Sequence, residues 1–179
     1  MAIETLNAIL LRRIRFSETS LILTWFSQEA GKIKAIAKGA LRSKSTFAGK
    51  LDLFFKCELS IARSNKSEIH SLREVVVCEP FLGIRSKYLN TLAGSYFMEL
   101  VEETTELEHA EPDIFDLLSR ALAFLEREQP TLRAVTFFEA QLAKALGMHA
   151  EESEASRHLT ESLSRTPRTR AALLKELKA

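Results

Sequence analysis

The residues of this chain best equipped for chemistry are cationic, and they are bunched. Gly31–Lys50, GKIKAIAKGALRSKSTFAGK, carries Lys32, Lys34, Lys38, Arg42, Lys44 and Lys50 and no acidic residue. Its first half alternates: Ile33, Ala35 and Ala37 share one parity, and Lys32, Lys34 and Lys38 share the other. A strand sends successive side chains to opposite faces, so these lysines would line one surface while the small apolar residues face a core. The second half gives up apolar periodicity for Gly, Ser, Thr and basic residues, as a loop does. A cationic strand leading into a cationic loop suits a protein that follows a phosphate backbone. A solvated strand face with a polar loop accounts for the same pattern. A second basic group, Arg12, Arg13 and Arg15, ends the apolar run AILL near the N-terminus. Arg12 and Arg13 point to opposite faces of a strand, so only part of that group serves any one surface. Phe47, within the loop, is placed either to stack a base or to anchor the loop in the core.

Residues for covalent chemistry are scarce. There is no GxSxG elbow, and Gly39 to Ser45 has neither the spacing nor the following helix of a phosphate-binding GxxxxGK[ST] loop. Glu102, Glu103 and Glu106 fall on consecutive helical turns and read as a solvated face. Cys57 and Cys78 lie in apolar runs without CxxC spacing, and His70, His109, His149 and His158 are scattered. The expectation is a protein that is not an enzyme and has neither metal nor cofactor.

The formal net charge of +1 conceals an asymmetry. Residues 1–80 hold 13 Lys and Arg against 8 Asp and Glu, whereas residues 81–179 hold 12 against 16. Such a split points to a basic binding module joined to an acidic one. The apolar runs are too short for a membrane-spanning helix, and the N-terminus lacks the basic start and small-residue cleavage site of a signal peptide. A cytoplasmic protein with no membrane partner is expected.

The elements that must position these residues change period at Pro80. Strands are expected at 3–15, 20–26, 31–39, 51–63 and 68–80, with a turn at Phe16–Thr19 and a polar hairpin turn at Ser64–Ser67. In 51–63, Leu51, Leu53, Phe55, Cys57, Leu59 and Ile61 alternate with mostly polar residues, the clearest strand pattern in the chain. In SLILTWF, Leu21, Leu23 and Trp25 share a face, and the lone Trp is more at home in a core than on a stacking platform. Five strands in about 80 residues close most economically into a small barrel, of which the OB-fold is the common form. An SH3-like barrel is the competitor.

After Pro80, FLGIRS reads as a helical turn, and three helices with apolar stripes follow. They span Lys87–Leu107, a stretch starting at Pro112, and another starting at Pro130 and capped by Gly147. Apolar density falls beyond His149. Residues 150–179 are expected to form one or two weak helices, partly mobile or thinly packed. The fold class is therefore α+β: a five-stranded OB-fold barrel at 1–80 and an all-helical domain at 81–179.

The order of these features resembles the bacterial RecO family of recombination mediators. AILLRRIRFSETS with Glu18-Thr19, the run Ala37-Lys38-Gly39-Ala40-Leu41-Arg42, CEPF at 78–81 and the helix holding Tyr96-Phe97-Met98-Glu99-Leu100 carry the resemblance, over residues 1 to about 149. It implies an OB-fold followed by a helical domain, binding of single- and double-stranded DNA, and annealing of complementary strands. It further implies partnership with RecR and single-stranded DNA-binding protein in loading the recombinase. Two features depart from the family. Many members carry a four-cysteine zinc site after a position like Gly147, and this chain has no cysteine beyond Cys78. The segment beyond that position is also reduced, which leaves retention of RecR contacts open.

Two functions compete on these grounds. In the first, the basic strand and loop neutralise phosphates of DNA, with Arg12, Arg13, Arg15, Lys32, Lys34, Lys38, Arg42, Lys44 and Lys50 as contacts and Phe47 as a stacking residue. In the second, the helices present a hydrophobic groove to a partner's peptide, with Arg127 and Arg133 beside it, and the barrel is only structural.

Overall fold

The computed structural model describes residues 3–148, 152–165 and 167–178. His149 and the first residues of the weakly helical stretch, 150 and 151, lie outside the described residues. The chain divides into two compact units. One joins Met1–Pro80 to Thr105–Phe115; the other joins Phe81–Thr104 to Asp116–Ala179. The sequence-based boundary at residue 80 did not foresee that 105–115 would pack with the strands.

The first unit is a closed barrel of β1 (Ile3–Arg15), β2 (Leu21–Ser27), β3 (Gly31–Ala37), β4 (Lys56–Ala62) and β5 (Ile69–Glu79) in the order β1-β2-β3-β5-β4. β1 also pairs with β4, and β3 with β5 in parallel. This is the OB-fold, not the SH3-like alternative. Leu6, Ala8, Leu10, Leu23, Trp25, Ile33, Ala35, Cys57, Leu59 and Ile61 fill the interior. Trp25 is therefore a core residue, as its parity with Leu21 and Leu23 implied.

β1 carries a bulge between Leu10 and Arg12 in its pairing with β2. Up to Leu10 the even-numbered residues face the core; beyond the bulge, Arg13 lies opposite inward-facing Leu23 and Arg12 opposite Thr24. A bulge adds one residue to one strand, so the faces exchange parity there.

The 51–63 strand is shorter than its alternation suggested. Only Lys56–Ala62 pairs as β4, and Leu51–Phe55 is a compact turn. Asp52 accepts a hydrogen bond from the Leu53 N–H with its side chain and from the Phe55 N–H with its carbonyl. Phe54 has φ 70°, in the left-handed region. Phe54 and Phe55 are both buried, which consecutive residues of a half-wet strand cannot achieve.

A strap from the later sequence closes one side of the barrel. The Lys32 carbonyl accepts a hydrogen bond from the Glu108 N–H at 2.8 Å, Lys32 bridges Leu107 in parallel, and the Lys32 ammonium donates to the Thr105 carbonyl at 2.6 Å. Phe115 packs on Phe26 with ring centroids 6.2 Å apart. Gly31 makes the approach possible. Its φ is +67°, and a Cβ on it would lie 1.7 Å from the His109 carbonyl oxygen. Gly31→Ala is expected to cost about 2–4 kcal/mol, from left-handed strain and displacement of the strap. A urea midpoint unchanged to within about 0.5 kcal/mol would refute this account of the glycine.

In the second unit a 3-10 helix (Leu82–Ser86) precedes α1 (Tyr88–Thr104), α2 (Pro112–Arg127), α3 (Leu132–Ala145), α4 (Glu152–Ser162) and α5 (Arg170–Glu176). The three main helices form where the apolar stripes fall, with Phe97 of α1 stacked on Phe138 of α3 at 4.0 Å. The buried Asn90 amide donates to the Leu125 and Glu128 carbonyls at the end of α2. α3 begins at Leu132, two residues beyond the expected start at Pro130, with Thr131 capping it by accepting from the Ala134 N–H, and Leu132 is exposed. Gly147 follows α3 with φ 77°.

The described part of the C-terminal stretch is packed rather than thinly attached. Ala155, Leu159 and Leu173 are buried, and the Thr169 hydroxyl donates to Glu99. A buried carboxylate organises it. Glu139 on α3 accepts hydrogen bonds from the Tyr96 and Ser156 hydroxyls, and the Arg170 guanidinium lies 3.8 Å away. Burial, then the Glu139 charge, pushes the Tyr96 hydroxyl's pKa upward.

Candidate nucleic-acid interface

The alternation in β3 is realised residue by residue. Gly31, Ile33, Ala35 and Ala37 are buried, and Lys32, Lys34 and Ile36 emerge on the outer face. The lysines differ in what they do there. Lys32 is tied to the strap through Thr105, whereas Lys34 lies 3.8 Å from Glu68 at the rim. Lys38, Arg42 and Lys44 are exposed on the loop after β3, and Lys50 is half-buried.

The loop is tethered, not free-swinging. The Leu41 N–H donates to the Thr19 carbonyl at 3.0 Å, so residues 39–42 sit against the β1–β2 turn. Successive turns follow, with Arg42 bonded to Gly39, Ser45 to Arg42, and Ala48 to Ser45. Phe47 anchors the loop: it is 7% exposed and belongs to the barrel core. Its proposed base-stacking role is corrected accordingly, because a ring in the core offers no face to a nucleotide.

The three N-terminal arginines separate as the bulge dictates. Arg13 has inward parity and bends over the barrel mouth, donating to the Leu51 carbonyl at 2.9 Å with Asp52 3.4 Å away. Arg15 folds over the turn, donating to the carbonyls of Ser17 and Glu18. Arg12 has outward parity and is exposed.

Cross-strand partners show what the outer face carries. Residues directly opposite each other project to the same side. Arg12, Thr24 and Lys34 form one row across β1, β2 and β3; Ile14, Ile22 and Ile36 form the next. Phe16 continues the β1 side of this face and is 61% exposed, and Ile14 is 48% exposed. The strap packs over Phe26 and Lys32; in the two rows Arg12 and Ile14 are exposed, Lys34, Ile22 and Ile36 are half-buried, and Thr24 is buried. The face therefore has an apolar floor, an exposed aromatic ring at one end, and cations from Arg12, Lys34 and the Lys38–Lys44 loop around it. In the sequence Phe16 falls in the Phe16–Thr19 turn, which by itself gives no sign of an exposed ring. The available signal was that nothing in FSET turn chemistry calls for an aromatic residue.

A different polar cluster lies by the strap. Arg63 donates to Glu4 at 2.6 Å and lies 3.2 Å from Glu108, whose carboxylate also meets His70 Nε2 at 2.7 Å. The Ser64 N–H donates to His70 Nδ1, and His70 Nε2 faces both the Glu108 carboxylate and, at 3.2 Å, Arg63 Nη1. Hydrogen bonding to Glu4 pushes the Arg63 pKa upward. Every charged member of this cluster has a partner of opposite or complementary character, and its geometry fastens strand to strap.

The donor set does not fit a zinc ion of the four-cysteine kind. Cys57 and Cys78 are the only cysteines, and among the described residues no three His, Cys, Asp or Glu side chains form a metal-sized group. Burial, and secondarily Cys78, push the Cys57 thiol up to about 12. Among the described residues no helix is long and apolar enough to cross a membrane.

A closed five-stranded barrel in this strand order defines the OB-fold class, many members of which bind oligonucleotides or oligosaccharides. Comparison with known proteins narrows this. Residues 1–81 match the family described as Recombination protein O N terminal, and residues 85–168 match Recombination protein O C terminal. The chain is 31% identical over 140 residues to DNA repair protein RecO of Rhodopirellula baltica, covering 78% of this chain and 52% of that relative. It is 36% identical over 126 residues to DNA repair protein RecO of Desulfatibacillum aliphaticivorans, covering 70% and 49%. The chain belongs to the RecO family of DNA repair proteins. It spans about half the length of these curated relatives.

Proposed function

We propose that this chain is a non-catalytic DNA-binding mediator that holds single- and double-stranded DNA and promotes annealing and recombinase loading. The observation carrying this reading is the outer face of β1–β3, where cations surround a half-exposed apolar row beside an exposed ring. Cations held by a rigid barrel neutralise phosphates of either strand and so lower the repulsion that slows annealing. Lysines serve as point donors to phosphate, and arginines add bidentate grips. With about six phosphate contacts, log K against log salt falls with a slope of roughly −4 on single strands and −5 on duplex. A fluorescence-anisotropy titration across salt concentrations checks this; absent or salt-insensitive binding would reject it. The family relationship supports RecR and single-stranded DNA-binding protein as partners and action in the cytoplasm.

A peptide-docking role for the helical unit has its own supporting observation. Phe97, Leu117, Phe124, Phe137 and Phe138 line a groove of about 250 Å³ with Arg120 at its edge. An apolar groove beside a guanidinium suits the acidic tail of single-stranded DNA-binding protein. Arg127 and Arg133 are exposed on the same helices. Phe124→Asp is expected to abolish binding of that tail peptide and leave DNA affinity intact. The two readings assign different units and are compatible.

A further inference from the structure

We propose that Phe16 is a base-stacking residue that makes this barrel prefer unpaired nucleotides, an inference that rests on the DNA-binding reading above. Hydrophobic side chains exposed singly on a surface need no explanation, but Phe16 is not isolated. Ile14 is exposed beside it on the same face, and Ile22 and Ile36 extend that row across two further strands. The row ends among cations, with Arg12 and Lys34 in the neighbouring row and Lys38 just beyond β3.

The backbone holding the ring is fixed. The Phe16 and Ser17 N–H groups both donate to the Ser20 carbonyl, and the Arg15 guanidinium clamps the turn through the carbonyls of Ser17 and Glu18. The Ser17 hydroxyl accepts from the Thr19 N–H, and the turn is further tied to the cationic loop through Leu41. A ring presented on a turn of this kind loses little conformational freedom when it meets a flat partner.

The chemistry of the surroundings selects the occupant. The Gly31–Lys50 segment contributes only positive charge, Glu68 is 3.8 Å from Lys34, and Asp52 is 3.4 Å from Arg13. A ligand that brings negative charge at regular intervals together with flat apolar rings satisfies both the cations and the floor. A single-stranded nucleic acid does so. In a duplex the same bases are stacked on each other, and the ring has nothing to stack upon without disrupting the helix.

Phe16→Ala is expected to weaken binding of an oligothymidylate between about fivefold and a hundredfold. Affinity for a blunt duplex should change less than about twofold, because phosphate contacts are untouched. Phe16→Trp should keep the oligothymidylate affinity and add an exposed indole to the buried Trp25, with emission quenched when the oligonucleotide binds. Unchanged affinity of Phe16→Ala for the oligothymidylate overturns the proposal. So does equal weakening on both DNAs, and so does an indole that ignores the ligand. Failure of the unaltered protein to bind either DNA removes the underlying reading, and that result requires no variant.

Discussion

Replacing Lys38, Arg42 and Lys44 together by Glu should lower single-stranded DNA affinity by about a hundredfold or more at 0.1 M salt. Each phosphate contact on single strands is worth roughly 0.7 of a decade in affinity per decade of salt, so three contacts supply about two decades at that concentration. Reversal adds repulsion to the loss. The salt slope should flatten by about 2 units, which separates lost phosphate contacts from a damaged fold. All three residues are exposed on turns outside the core, so the thermal midpoint should hardly move. Lys32→Met provides the contrast. Its ammonium serves the Thr105 carbonyl, so the variant should lose stability and keep the salt slope. Normal binding by the triple variant would show that the DNA surface lies elsewhere on the molecule.

Glu139→Ala should destabilise the helical unit by about 3–5 kcal/mol in urea denaturation. The substitution strips partners from the Tyr96 and Ser156 hydroxyls and leaves Arg170 without its buried counter-charge. An unsatisfied buried group costs its full desolvation penalty, which is larger than the net gain of the bond that was lost. Glu139→Gln should recover part of the loss, since an amide still accepts from a hydroxyl. The same network makes a pH prediction. The folded Tyr96 hydroxyl titrates above its unfolded value near 10, so above about pH 10 the unfolded chain releases a proton that the folded one keeps. Stability is therefore complete below pH 10 and declines as pH rises beyond it, a decline that Tyr96→Phe should reduce. A Glu139→Ala variant within 1 kcal/mol of the parent would demote this cluster to decoration.

Much of the architecture could be read from pattern because pattern is what burial acts on. The Ile33, Ala35, Ala37 alternation and the stripes of α1 and α2 repeat with the period of their element, and they fold as they read. Tertiary events were less visible. Leu51–Phe55 alternates on paper, yet a left-handed Phe54 breaks the strand, and no periodicity rule sees a single dihedral. Lys32 shares parity with Lys34, but its partner Thr105 is 73 residues away in sequence. Phe47 could be read as stack or anchor until the loop's turns were seen to point it inward. The C-terminal helices looked weak because α4 buries only Ala155 and Leu159 among its described side chains, and the polar contacts that seat them reach back to Glu99 and Glu139. The candidate site was legible as a charge surplus, and its proposed aromatic member was hidden among turn residues.

The bulge in β1 acts on the strand as an inserted letter acts on a reading frame. Upstream of it the even positions, Leu6, Ala8 and Leu10, spell core; downstream the odd positions, Arg13 and Arg15, take the inward side and Arg12 and Ile14 face out. A regular strand that kept Leu11 without the bulge would run in a single frame throughout. Arg12, Ile14 and Phe16 would then turn toward the barrel interior, and Arg13 and Arg15 would take their places outside. A guanidinium directed into the barrel has no counter-charge among the core side chains, so the bulge, by absorbing Leu11, keeps Arg12 out of an apolar interior. The outer face of β1 and the apolar filling of its barrel are thus set by the same single residue of length.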